Sequence, residues 1–340
     1  MKNIKIIGAK YFHKKAIMIF FNSYWREKHI LSTNKKLFDT FYKDKNNLNF
    51  LIALNNKNKI VGILGFIKNS KFNLQRKGVV WTSVLKALDE YPMLGFFLVK
   101  KLMDKFSKYD VGCMGNNIQS EKLFKLCGFK TGFLNQYYII NSAIKKFNIL
   151  KINKNNFNLL KKKNSKKINF NNKVKLIEIN KKNFYYLNNF KCNDKNEKYI
   201  LNKYIKNKYY KYKVFAIMNS NEVINILAVR ICSYSKFKVA RVIDFLGSFE
   251  NFYKVIDLLD ENIKKWNVEY IDFCTSKKLK VYKNSLFKIN NFNKDIILPN
   301  YFEPFVQKNH KIRYGILSRK NFNRYYFFKG DGDSERPNIL

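Results

Sequence analysis

Asn117-Ile118-Gln119-Ser120-Glu121-Lys122-Leu123-Phe124-Lys125-Leu126-Cys127-Gly128-Phe129 reads as one amphipathic helix with a signal at each end. Asn117 suits the N-cap, where its side chain accepts a hydrogen bond from a first-turn amide, and Gly128 suits the left-handed position just past the last turn. Leu123, Phe124, Leu126 and Cys127 form an apolar stripe, and Glu121, Lys122 and Lys125 are left for water. Immediately upstream, Asp110-Val111-Gly112-Cys113-Met114-Gly115 reads as a short buried strand. A strand that runs straight into a capped helix is how α/β folds build ligand clefts, so this stretch is a candidate site.

On the N-terminal side, Tyr11 to about Lys45 has a helical apolar pattern, followed by strands at Phe50 to Leu54 and Ile60 to Ile67 joined by the polar turn 55–59. Val79 to Leu85 is a further strand. After Asp89-Glu90-Tyr91-Pro92 comes an apolar helix, Met93 to Phe106, with Pro92 at or just before its first turn. Lys130 to Asn141 closes the region as a final strand. A Lys/Asn-rich linker follows, and then the order of elements restarts: strand 174–179, helical 180–208, hairpin 214–219 and 223–233, strand 239–246, helix 249–266, strand 270–275. That is a duplication of architecture more than of residues. The expected units are a domain at 1–145, a linker at 146–172, a second domain at 173–320 and a tail at 321–340.

The 340 residues are 46% hydrophobic and 17% aromatic, which excludes a disordered chain despite a formal net charge of +43. Such a charge points toward a polyanionic partner. The lysines are spread along the whole chain together with heavy use of Asn, Ile, Phe and Tyr, so an AT-rich coding bias explains them better than a nucleic-acid face. Five cysteines form no C-x-x-C pair and only three histidines are present, so the thiols read as small buried apolar residues and no metal site is expected. The longest early apolar run, Ala16 to Phe21, is too short to span a membrane, and a cytoplasmic location is expected.

The element order, together with Asn117, Ser120, Leu123, Phe124, Gly128 and Phe129 at the spacings of N-x-x-A-x-x-L-Y-x-x-x-G-F, resembles the GNAT superfamily of acyl-CoA-dependent N-acyltransferases. The resemblance covers about 15–141 by motif and 174–318 by element order. It implies an α/β (α+β) fold of two GNAT-like domains in tandem, each a mixed, mainly antiparallel sheet flanked by helices. More narrowly, Trp25 to Phe41, Lys130 to Asn141, Asn300 to Phe305 and Lys329-Gly330-Asp331-Gly332-Asp333 resemble bacterial tandem members found with surface-polysaccharide biosynthesis genes. That resemblance implies acetyl-CoA or another acyl-CoA as co-substrate and an amino sugar, nucleotide-linked, as acceptor. It assigns Leu85 and Ala87 to the pantetheine arm, Leu94, Gly95 and Phe96 to the pyrophosphate, and Asn117 to a place beside the pantetheine.

Departures from the superfamily pattern stand beside these. Its phosphate loop, Q/R-x-x-G-x-G/A, falls on Glu90, Met93 and Gly95, so one of three positions is kept. The tyrosine many members use to protonate the leaving thiolate falls on Phe124, which has no proton to give. His29, Glu90, Tyr137 and Tyr138 remain as candidates for proton transfer. The second half has neither signature and is expected to bind no coenzyme A. Asp331-Gly332-Asp333-Ser334-Glu335 has too few ligands for a calcium loop and reads as a turn offering carboxylates to an acceptor or to the basic body of the protein. Two competing readings are a tRNA-dependent aminoacyltransferase of tandem-GNAT type and a non-catalytic GNAT-like binding or scaffold protein.

Overall fold

The computed structural model describes residues 4–74, 78–153, 174–188, 190–192, 195–281, 287–318 and 326–332. In the first half, β1 (Lys5–Lys10) precedes α1 (Lys14–Phe20) and α2 (Lys35–Tyr42). The long helical pattern read over 11–45 is therefore broken. Asn34 restarts the helix, its Oδ1 accepting from Leu37 N at 2.8 Å. The hairpin β2 (Asn47–Leu54) and β3 (Ile60–Lys68) follows, then β4 (Val79–Ala87), α3 (Leu94–Lys105), β5 (Asp110–Met114) and α4 (Ile118–Leu126). Both ends of α4 are built as its sequence demands: Asn117 Oδ1 accepts from Ser120 N at 2.7 Å, and Gly128 has φ +85°. Leu126 departs from the expected stripe and is 74% exposed, because it lies two residues, about 200° of helical turn, from buried Phe124.

The run expected as one strand at 130–141 breaks at Leu134 into β6 (Lys130–Phe133) and β7 (Asn135–Ile140), and these lie in different sheets. In the second half, β8 (Val174–Ile179), β9 (Tyr212–Asn219), β10 (Glu222–Tyr234) and β11 (Phe237–Gly247) lead through α5 (Phe252–Lys265) to β12 (Tyr270–Thr275), β13 (Lys288–Ile289) and β14 (Arg313–Leu317). The helical expectation over 180–208 reduces to short turns of helix around a small hairpin, Lys191–Cys192 with Lys195–Asn196. Residues 154–173, most of the expected linker, lie outside the described residues. Its described start is docked: the amides of Asn148, Ile149 and Leu150 donate to the buried Glu269 carboxylate at 2.7–2.9 Å.

Two mixed sheets flanked by helices result. The first runs β1-β2-β3-β4-β5-β14-β6, with Lys43–Asp44 paired to β2 at its side, and the second runs β8-β9-β10-β11-β12-β7-β13. In each, one parallel pair, β4 with β5 or β11 with β12, interrupts antiparallel neighbours. Sheet membership does not follow the chain: β7 pairs with β12 and β13, while β14 inserts between β5 and β6. Each half thus completes the other's sheet. Gly315 makes the insertion possible, since a Cβ there would stand 2.7 Å from Cys113 Sγ. Among the described residues no helix is long and apolar enough to cross a membrane.

The exchanged strand β7 also carries Gln136 to a buried charge pair in the second sheet. Arg241 donates from Nε and Nη2 to Asp272 at 2.9 Å each, and Gln136 Nε2 donates to the same carboxylate at 2.8 Å. Removing one partner strands the other charge in a dry interior. Asp272→Ala should therefore lower unfolding stability by about 3–5 kcal/mol in urea denaturation, while the double change Arg241→Met/Asp272→Leu recovers most of that loss.

Candidate active site

The site read from the sequence lies where β4 and β5 part. They pair in parallel from Val79↔Asp110 to Thr82↔Cys113, and there the ladder stops. On the other side of β4 the register with β3 shifts between Gly65 and Phe66, so that Ser83 bulges out of the ladder. Beyond the bulge, Val84 to Ala87 pair with β3 alone among the described residues. One edge of that stretch therefore presents backbone amides and carbonyls to the opening, and such groups demand a partner. Leu85 and Ala87 are half-buried along it.

At the mouth of the opening stands the first turn of α3. Leu94 is fully buried, held close because a Cβ on Gly62 would come 2.9 Å from its Cδ2. The first bond reaching back four residues is made by Phe97 N to Met93 O, so the amides of Gly95 and Phe96 stand ahead of the helical ladder, where a helix attracts anions. Gly95 faces α4, with a virtual Cβ 3.1 Å from Leu123 Cδ1, so glycine here sets the approach of the two helices. Met93 has φ +65° and ψ −3°, the left-handed backbone that a glycine would adopt, so the loop keeps its shape without the glycine. Glu90 is exposed beside it. Just past the end of β5, the amide of Gly115 donates to Arg313 O at 2.8 Å, and Asn117 sits exposed at the α4 N-cap. Glu121 on α4 is held below the usual carboxylate range by Lys125 first, helped by Thr131 and Arg313, which ties α4 to β6 and to β14.

Leu85, Ala87, Leu94 and Phe96 pack in one apolar cluster, Gly95 faces Leu123 of α4 and Asn117 caps that helix, while the proton-transfer candidates other than Glu90 lie in packed interiors. His29 caps the short helix Ile30–Thr33, accepting from Leu31 N at 3.1 Å, and its ring stacks on Phe21 at 5.9 Å. Tyr137 and Tyr138 belong to the second sheet. Tyr137 accepts from Leu279 N at 2.7 Å and stacks on Phe287, while Tyr138 packs on the opposite face, where burial pushes its pKa up to about 12. Their alternation is as expected of a strand, but both faces are covered. Phe124 is buried against Phe129.

Sequence reasoning missed a hydroxyl pair at the bulge itself: Ser83 Oγ lies 3.0 Å from the Tyr42 hydroxyl at the end of α2. The one signal for it was a small polar residue inside an apolar strand. On the same helix, Thr40 and Phe41 border a cavity of about 210 Å³ lined also by Phe72, Tyr209, Tyr210 and Lys206. In the carboxylate turn read at 331–335, Asp331 turns to the basic body of the protein, 1% exposed and paired with Lys195 at 2.9 Å, while 333–335 lie outside the described residues. No group of three or more His, Cys, Asp or Glu able to hold a metal ion occurs among the described residues.

No family model and no curated protein matches the sequence. Solved structures do match the fold. A GCN5-related N-acetyltransferase from Anabaena variabilis superposes with a TM-score of 0.53 at 9% identity, over 92% of this chain and 72% of that one. One from Kribbella flavida gives 0.54 at 7% identity, over 92% and 71%. A probable N-acyltransferase from Enterococcus faecalis gives 0.53 at 7% identity, over 92% and 72%. The chain has the fold of these acetyltransferases.

Cys113 lies on β5 at the point of parting, and burial pushes its thiol up to about 12, against the hydrogen bond from Asn116 at 2.8 Å. At pH 8 the thiolate is then about one part in 10⁴. Iodoacetamide with peptide mapping should leave Cys113 unmodified in the native protein and alkylate it fully in urea.

Proposed function

We propose that the chain is an acyl-CoA-dependent N-acyltransferase whose acceptor is an amino sugar, nucleotide-linked, serving surface-polysaccharide biosynthesis in the cytoplasm. The observation that carries the reading is the parting of β4 from β5 at the Ser83 bulge, with the first turn of α3 at its mouth. The donor, acetyl-CoA or another acyl-CoA, lies in that opening. Backbone groups of Val84 to Ala87 bond the amides of its pantetheine arm, Asn117 lies beside the arm, and the amides of Gly95 and Phe96 meet the pyrophosphate.

The acceptor amine attacks the thioester carbon directly. A backbone amide at the bulge stabilises the oxyanion of the tetrahedral intermediate as it forms. The thiolate leaves without a tyrosine at position 124, since its conjugate acid has an ordinary thiol pKa. The amine attacks as its free base, and the proton then lost by the nitrogen of the tetrahedral intermediate is relayed to solvent through the Ser83–Tyr42 hydroxyl pair, which α2 holds against the bulge. The 210 Å³ cavity beside the same helix supplies the acceptor side: tyrosine and phenylalanine faces for a sugar or base, and exposed Lys206 and Lys208 for its phosphates.

Calorimetric titration with acetyl-CoA tests the donor half of the reading, with saturable binding expected and no binding at millimolar ligand sinking it. Glu90→Gln should tighten that binding about fivefold at low salt, because it removes roughly 1 kcal/mol of repulsion between a carboxylate and the pyrophosphate. Ser83→Ala should lower kcat about 10- to 100-fold with the donor KM unchanged. The net charge of +43 favours one rival, a tRNA-dependent aminoacyltransferase. Retention on RNA in moderate salt, without acetyl-CoA binding, would replace the present reading with that one.

A further inference from the structure

The second half repeats the opening between β4 and β5, and fills it with another part of the same chain. The parallel pairs Val80↔Val111 and Thr82↔Cys113 recur as Ala240↔Ile271 and Val242↔Phe273, each partner 160 residues on. The next residue of the longer strand bulges in both halves, Ser83 against β3 and Ile243 against β10. Past Ser83 the β5 side of β4 is open among the described residues. Past Ile243 the matching space holds residues 326–331.

That segment bonds across the space through its backbone. Phe328 forms an antiparallel bridge with Thr275 at the end of β12, and Ser276 N donates to Phe327 O at 2.9 Å. Gly330 N donates to the carbonyl of the bulged Ile243, also at 2.9 Å. A ligand with amides spaced along an extended chain would use the same groups.

The seat is shaped for its occupant. A Cβ on residue 330 would stand 2.8 Å from Ile243 O and 2.6 Å from Ile243 Cγ2, so only glycine brings the backbone this close. Lys195 is clamped between Asp244 and Asp331, 2.9 Å from each. Burial opposes its charge, but the two carboxylates outweigh burial and hold the lysine pKa well above its ordinary value. Phe328 packs beside the rings of both Phe249 and Phe273, 5.9 and 5.8 Å away. A cavity of about 320 Å³ is left beside the segment, bordered by Phe245 and Gly247 of β11 and by Trp81 of β4.

The geometry points to residues 326–331 as an intramolecular ligand of a second amide-binding groove, one that takes a pantetheine-like chain of amides when the segment is unseated. The inference rests on the acyl-CoA reading of the first half only for the class of ligand it names.

Gly330→Val in the full chain unseats the segment, because its added carbons meet Ile243. Hydrogen exchange on the native protein should protect the amides of Ser276, Phe328 and Gly330 about 100-fold or more over the unfolded chain. The variant should lose that protection and keep it in β9 and β10. Calorimetry with pantetheine should then find one more equivalent per chain in the variant than in the native protein, whatever number the native protein binds. Unprotected Phe328 and Gly330 amides in the native protein, or an unseated segment with no added equivalent, would overturn the inference. A native protein that binds no pantetheine beside a variant that binds one equivalent would count against the donor site of the first half and support the second groove. Asp331→Asn, which weakens the clamp without adding bulk, is a second variant with the same two readouts should Gly330→Val not fold.

Discussion

Each sheet depends on a strand that the other half supplies. Without β14, β5 would end the first sheet as an exposed edge and β6 would have no neighbour; without β7, β12 and β13 would be parted in the same way. Unpaired strand edges attract wrong partners, so the exchange removes two liabilities at once. It also sets the position of the site: the turn at Gly115, which leads β5 into α4, is fastened to Arg313 of the inserted strand. The opening between β4 and β5 thus has one wall whose geometry is set from nearly 200 residues away in the chain.

Two halves of common architecture have diverged at the same place. After its bulge the first half keeps a mostly apolar stretch, Val84-Leu85-Lys86-Ala87, and a helix N-terminus with two amides ahead of the ladder. At the equivalent of Val84 the second half has Asp244, fully buried and answered by Lys195 and Tyr204, at 2.9 and 2.8 Å. A buried carboxylate there is intelligible only with its cation in place. One half leaves that strand edge open among the described residues, and the other closes it with the chain itself.

Local signals were the most legible. The cap at Asn117, the glycine at 128, the buried strand before them and the duplicated element order could be read because each depends on neighbours in sequence. The break at Leu134 could not: its amide bonds Ile312, and only the fold brings that residue near. β14 escaped notice because five residues, Arg313 to Leu317, gain their burial from two flanking strands more than from any pattern of their own. Of the candidate site, Leu85, Gly95 and Asn117 were named from the motif and the element order alone. The hydroxyl pair was not, since Ser83 and Tyr42 are 41 residues apart and meet through the bulge. Likewise His29, Tyr137 and Tyr138 carried titratable groups suited to catalysis, while their burial was a property of sheets still unassembled on paper.

The exchanged strands carry a consequence for how the protein comes into being. During synthesis the first sheet cannot close when residue 140 emerges, because the strand that separates β5 from β6 is made last among its members, at 313–317. Until then the growing chain must hold β7 apart from the sheet nearest to it in sequence and leave the edge of β5 uncovered. Pairings this distant raise the entropic barrier to folding and slow it. Such a chain gains its native state as one cooperative unit, and cutting it between the halves would leave two pieces that each lack a central strand.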